Sequence, residues 1–135
     1  MSDEIIRKSL ETRLNAVSSG VIPTAFENVA FVPIKGTPYQ RAHILPAKTQ
    51  NPTMGDGFRR EAGIFQVTLF FPANAGAWPA TARAKVVKDQ FARGLTISES
   101  NVRVMIDESP YQAPGETIDD WYILPVSIPY IADVQ

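Results

Sequence analysis

Residues 60–71 read REAGIFQVTLFF, and the alternation within this run decides the fold. In an extended chain Phe65, Val67, Leu69 and Phe71 fall on one face, and Ile64, Gln66, Thr68 and Phe70 on the other. The first face is wholly apolar and is expected to pack on a core. The second is mixed, so something else should partly cover it. Pro72 has no N–H to offer a ladder and is expected to close the strand.

Towards the N-terminus, YQRAHILPA (39–47) reads as a second strand and ENVAFVP (27–33) as a short one, joined through IKGTP. Ahead of them Ile6, Leu10, Leu14 and Val17 recur at helical spacing, which predicts a helix over roughly 3–17. Ser2 is placed to cap it, Asp3 and Glu4 suit the positive end of its dipole, and SSG at 18–20 ends it, with Gly20 as a left-handed stop.

Towards the C-terminus, GAWPATARAKVVKDQFARG (76–94) predicts a second helix. Pro79 suits its first turn, Ala80, Ala84, Val87 and Phe91 form an apolar stripe, and Gly94 is the stop. The two alanines would let this helix lie close on a sheet. LTISESNVRVMIDESP (95–110) reads as a hairpin turning at Glu99–Asn101, with Val102, Val104 and Ile106 on one face. YQAPGETIDD (111–120) reads as a loop. The last run, WYILPVSIPYIA (121–132), is a strand whose Pro125 and Pro129 predict an edge position or bulges. The order α-β-β-β-α-β-β-β indicates one α+β domain over 1–135, a mainly antiparallel mixed sheet with two helices packed on one face.

Composition narrows the function. Thirteen basic residues against fourteen acidic ones give a net charge of -1, without the basic surplus of a nucleic-acid-binding protein. With no cysteine, disulfides, thiolate metal sites and thiol nucleophiles are excluded. The N-terminal MSDEIIRKSLETRLNAV has charges where a signal peptide has its apolar stretch, and no run approaches the roughly 20 apolar residues of a membrane-spanning helix. A cytosolic chain is expected.

The search for chemistry finds little. His43, the sole histidine, sits inside a strand without a local nucleophile or metal partner. The acidic clusters Asp107–Glu108 and Glu116, Asp119, Asp120 flank the 111–120 segment, where solvated charge is ordinary; a small carboxylate-dependent enzyme would need them to converge in a pocket. MGDGF lacks the Lys-Ser/Thr of a phosphate loop. No catalytic residue, cofactor or metal site is assigned. What stands out instead is contact chemistry. Trp78, Trp121 and Tyr111 lie in or beside loops, and Arg59 and Arg60 stand where a polar, glycine-punctuated loop meets the long strand.

Four blocks carry a resemblance: MSDEIIRKSLETRLNAV, the TAFENVAF and GTPYQR segments, NPTMGDGFRREAGIFQVTLFFP, and YILPVSIPYIAD. In this order, from about Ile5 to Asp133, they resemble the tail terminator-like minor tail proteins of long-tailed, non-contractile phages and prophages. The resemblance implies an α+β fold and a homohexameric ring, assembled in the bacterial cytoplasm and resident in the virion tail. Such a ring caps the tail tube, ends its polymerisation and presents a surface to the head–tail connector. The implied partners are the chain itself, the tube protein and the connector, with no enzymatic activity. The polar, glycine-punctuated stretch Asn51–Arg60 is expected to be an assembly arm that reaches a neighbouring subunit or the tube end, with Met54 and Phe58 supplying apolar contact and Asp56, Arg59 and Arg60 setting polar register; Trp78 is a further interface candidate. A head-completion or neck protein is the alternative of the same kind.

Overall fold

The computed structural model describes residues 2–18, 22–27, 29–34, 36–46, 59–74, 76–99 and 101–134, with backbone alone for Ser2, Asp3, Val17, Ser18 and Arg59. Helix α1 spans Ser2–Ser18 and turns Ile6, Leu10 and Leu14 into the interior. The expected side-chain cap at Ser2, the fourth stripe position at Val17 and the stop at Gly20 fall outside what is described.

Strand β3, Arg59–Pro72, is the 14-residue axis that the opening run predicts. Phe65, Val67 and Leu69 are completely buried on one face. The mixed face is covered at its C-terminal end by an aromatic cluster. Tyr39, on β2 (Tyr39–Pro46), stacks on Phe70 with ring centroids 4.5 Å apart and takes the edge of Trp121 at 5.1 Å. Phe31 adds a further ring 5.1 Å from Tyr39.

Phe31 belongs to the 27–33 segment, where a strand was expected and none forms among the described residues. The strand lies just upstream instead, as β1 (Thr24–Ala25), which pairs parallel to β2 at Gln40 and Arg41. Residues 29–34 form no strand, and Val29, Val32 and Ile34 are exposed.

Helix α2 spans Trp78–Gln90, shorter than the 76–94 expected. Pro79 is in its first turn, and Ala80, Ala84 and Val87 are buried against β3 and the last strand. Phe91 is the C-terminal cap, fully buried 5.6 Å from the ring of Phe65. Gly94, at φ 97°, therefore serves the turn after the helix rather than stopping it. Arg13 of α1 donates from Nε to the carbonyl of Gln90 at 2.8 Å, satisfying an acceptor that the helix end leaves open and tying the two helices together.

The hairpin forms as expected, β4 (Thr96–Glu99) with β5 (Val102–Met105), and Val102, Val104 and Ile106 enter the core. The 111–120 segment is not a plain loop: it contains β6 (Tyr111–Gln112) and β7 (Glu116–Ile118), both antiparallel to β8 (Trp121–Val134). Strand β8 also departs from the expected edge position. Far from an edge, it lies at the centre of the order β1-β2-β3-β8-β5-β4, paired to β3 without a bulge from Trp121 to Val134. Parity explains how a strand with two prolines holds the centre. The carbonyl of Pro125 accepts from the N–H of Ala113 at 3.0 Å, so this residue's backbone groups point away from β3. Pro129, four positions on, points the same way. On that flank β8 pairs with three short strands in turn, and the prolines fall between their ladders. The β3 ladder thus loses no donor.

The sheet is curled and mostly antiparallel, with α1 and α2 on its apolar face. Leu124, Val126, Ile128, Tyr130 and Ala132 of β8 continue the core laid down by β3 and β5.

Candidate assembly surfaces

The β3–β8 ladder gives the protein two ends of different character, separated by about 40 Å of strand at roughly 3.3 Å per residue. At one end Arg59 faces Val134 and Arg60 faces Asp133; at the other Pro72 faces Trp121.

The first end is polar. Asp133 is buried, and Arg60 grips it with two prongs, Nε to Oδ1 at 2.8 Å and Nη2 to Oδ2 at 3.2 Å. Arg103, its partner on β5, approaches from the other side at 3.8 Å. The hydrogen bond and charge of Asp133 raise the affinity of the Arg60 guanidinium for its proton. Of the expected interface set, Arg60 is thus already committed within the chain. Arg59 opens β3 beside it, while Met54, Asp56 and Phe58 lie outside the described residues.

The second end is apolar. Trp78, at the start of α2, is 80% exposed, and it stands at the opposite end of the β3–β8 ladder from Arg59 and Arg60. Beside it Ile22, Pro38, Phe71, Pro79, Ala82 and Val86 line an open groove of about 320 Å³. Arg83 shares the groove, and burial lowers its pKa from the usual guanidinium value. Across the sheet from this groove, residues 114–120 are exposed without exception, so β7 projects as a ribbon with Ile118 and Asp119 at its turn. Asp119 holds φ 55°, a left-handed conformation that aspartate tolerates better than most residues. Sequence reading found neither groove nor ribbon. The groove draws on four separate parts of the chain, and the only signal of the ribbon was a run of polar residues ending in Asp119–Asp120.

The flank of β2 is closed by a side chain. Beyond Arg41, where β1 departs, the Ile44 N–H donates to Glu27 Oε1 at 2.6 Å, and Arg7 holds the same carboxylate at 3.0 Å. Burial works to raise the Glu27 pKa, but the Ile44 amide, Arg7 and a smaller pull from His43 outweigh it and leave it below the ordinary carboxylate value. His43 itself sits in β2 opposite Gln66.

Among the described residues no group of three or more His, Asp or Glu side chains is arranged to hold a metal ion. Asp107 offers its carbonyl to Arg93 Nε at 3.2 Å. Glu116 and Asp119 stand on the exposed ribbon rather than in a pocket.

Comparison with known proteins gives two positive findings. Residues 5–130 match the family described as phage tail terminator protein. Six chains of solved structures also match. One of them superposes with a TM-score of 0.79 at 28% sequence identity, covering 100% of this chain and 96% of its own. No curated protein matches.

Proposed function

The chain belongs to the phage tail terminator protein family, and from that premise we propose that it caps the tail tube as a hexameric ring of identical subunits and there ends tube polymerisation. Membership makes it a structural tail component with tail-tube partners and implies no enzymatic activity. The observation that carries the reading is the family match over 5–130, which takes in both helices and almost the whole sheet.

The layout of the chain supports it. A ring needs two different patches on each subunit that meet on neighbours, and this sheet has unlike margins, β1–β2 on one flank and β4 on the other. In this reading Asn51–Arg60 is the arm that reaches the tube end or a neighbouring subunit. Met54 and Phe58 give it apolar contact, Asp56 and Arg59 give it polar register, and Arg60, gripped by Asp133, roots it on the sheet. Trp78, at the far end, contacts a different neighbour or the connector to the head.

The experiment is sedimentation of the purified protein over a wide concentration range, with and without purified tail tubes, and electron microscopy of the tube ends. A discrete ring, or monomers recruited to tube ends as caps, is expected. A chain that stays monomeric and ignores tubes overturns the proposal.

A further inference from the structure

We propose that the β7–β8 ribbon of one copy seats in the α2 groove of the next, with Ile118 entering between Phe71, Pro79 and Val86 and Asp119 meeting Arg83. The inference rests on the reading that copies of this chain assemble with one another, and it names the surfaces by which they do so.

The ribbon has the form of something that docks. Glu116, Thr117 and Ile118 are all exposed, although a strand packed on its own protein hides alternate residues. Ile118 is 46% exposed and is followed directly by a carboxylate. The tight turn at Asp119 fixes the two side chains relative to each other, so little freedom is lost on docking. Gly115 holds the ribbon down at its base: a Cβ there would overlap the ring of Tyr122.

The groove has the complementary form. Its walls are aliphatic and aromatic, and its one charged member is Arg83. Charge complementarity rests on this pair and on the ribbon around it: Arg83 is the basic residue of the groove, whereas residues 113–120 carry Glu116, Asp119 and Asp120 and no base.

Position selects a second copy as the occupant. Ile22 and Pro38 place the groove on the β1–β2 flank, while β7 lies on the other side of β8. Both features stand at the Pro72–Trp121 end. Two unlike patches at the same level on opposite flanks join head to tail, as a ring requires.

The test is a charge exchange read by sedimentation. Arg83→Glu alone and Asp119→Arg alone are each expected to weaken self-association, by about tenfold or more. Each variant keeps one native surface. In an equimolar mixture the reversed groove of Arg83→Glu receives the reversed ribbon of Asp119→Arg. The native groove of the second receives the native ribbon of the first, and assembly returns. Ile118→Asp, on the exposed ribbon, is expected to weaken association without a charge partner to restore it. If wild type assembles and the folded single variants assemble equally well, or the mixture fails to recover, the ribbon–groove contact is wrong while the ring reading stands. If Arg83→Glu does not fold, normal assembly by both Ile118→Asp and Asp119→Arg overturns the contact. A wild-type chain that never self-associates, with or without tubes, overturns both.

Discussion

Arg60 and Asp133 stand directly opposite each other on β3 and β8, 73 residues apart in the chain, and are joined by two hydrogen bonds. Arg103 completes a row of Arg, Asp and Arg across three adjacent strands. A buried carboxylate between two guanidinium groups makes this row a fixed point of the polar end. Replacing Arg60 by glutamate sets two carboxylates in register and is expected to lower the melting temperature more than Arg60→Ala does. Added salt should narrow the gap between the two variants. Arg59→Glu, by contrast, is the variant that isolates the arm: it should leave the melting temperature near wild type while impairing capping. Equal losses of stability from Arg59→Glu and Arg60→Glu would remove this distinction.

Glu27 supplies a pH-dependent contribution. Its folded pKa lies below its unfolded value because the Ile44 amide and Arg7 outweigh burial. Ionised Glu27 therefore stabilises the fold above the ordinary carboxylate pKa, and that stabilisation is lost as pH falls through the depressed value. Glu11 works in the opposite sense. Burial raises its pKa against the pull of Arg7, so its contribution favours the fold at the lower pH and fades as pH rises through the raised value. Glu27→Gln leaves the Glu11 carboxyl in place. The variant is expected to melt below wild type at about pH 7, with the difference shrinking towards about pH 3. A difference that stays constant across that range would show that Glu27 acts through packing alone.

How far these features were legible depended on how local they are. Helix α1, strand β3 and the stripe of α2 follow from periodicity within a few turns or pleats, and they form where the spacing put them. The central place of β8 was hidden because the prolines argue for an edge until one sees that both point to the same flank, where three short strands leave gaps. The 27–33 segment misled in the other direction: its residues favour a strand, but a strand needs a neighbour, and β2 meets β1 there instead. The Arg60–Asp133 pair requires knowing the register of two strands far apart in sequence. The groove requires knowing which loops converge on α2.

Gly63 leaves no room for a side chain in the β2–β3–β8 ladder. A Cβ there would lie 2.8 Å from the Leu45 carbonyl oxygen and 2.7 Å from the Tyr130 hydroxyl. The backbone oxygen cannot step aside without disturbing the β2–β3 ladder. Gly63→Ala is expected to cost about 1–3 kcal/mol of stability in chemical denaturation, in the range of overpacked core sites. A neutral effect would mean that β2 shifts freely at this position.

Phe91 closes the core beneath the end of α2, fully buried against Phe65. Phe91→Ala leaves a cavity at the point where Arg13 ties α1 to the Gln90 carbonyl. A loss of about 3–5 kcal/mol is expected. Phe91→Leu, which keeps most of the volume, should recover a large part of it. If Leu is no better than Ala, the ring contact with Phe65 rather than cavity volume controls the site.

Trp78 offers the opposite case. At 80% exposure its ring contributes little to the fold of a single chain, and Trp78→Ala is expected to change monomer stability by no more than about 0.5 kcal/mol. A large aromatic side chain left in solvent beside an apolar groove is nevertheless the kind of anchor that a partner buries. The variant should therefore fold normally and fail in assembly or in joining to the head. Tryptophan emission of the wild type provides an independent reading, since Trp121 is already held within the aromatic cluster by Tyr39 and Phe70. A blue shift on capping that disappears in Trp78→Ala would place Trp78 in the contact. Normal assembly by the variant, with the shift retained, would remove it.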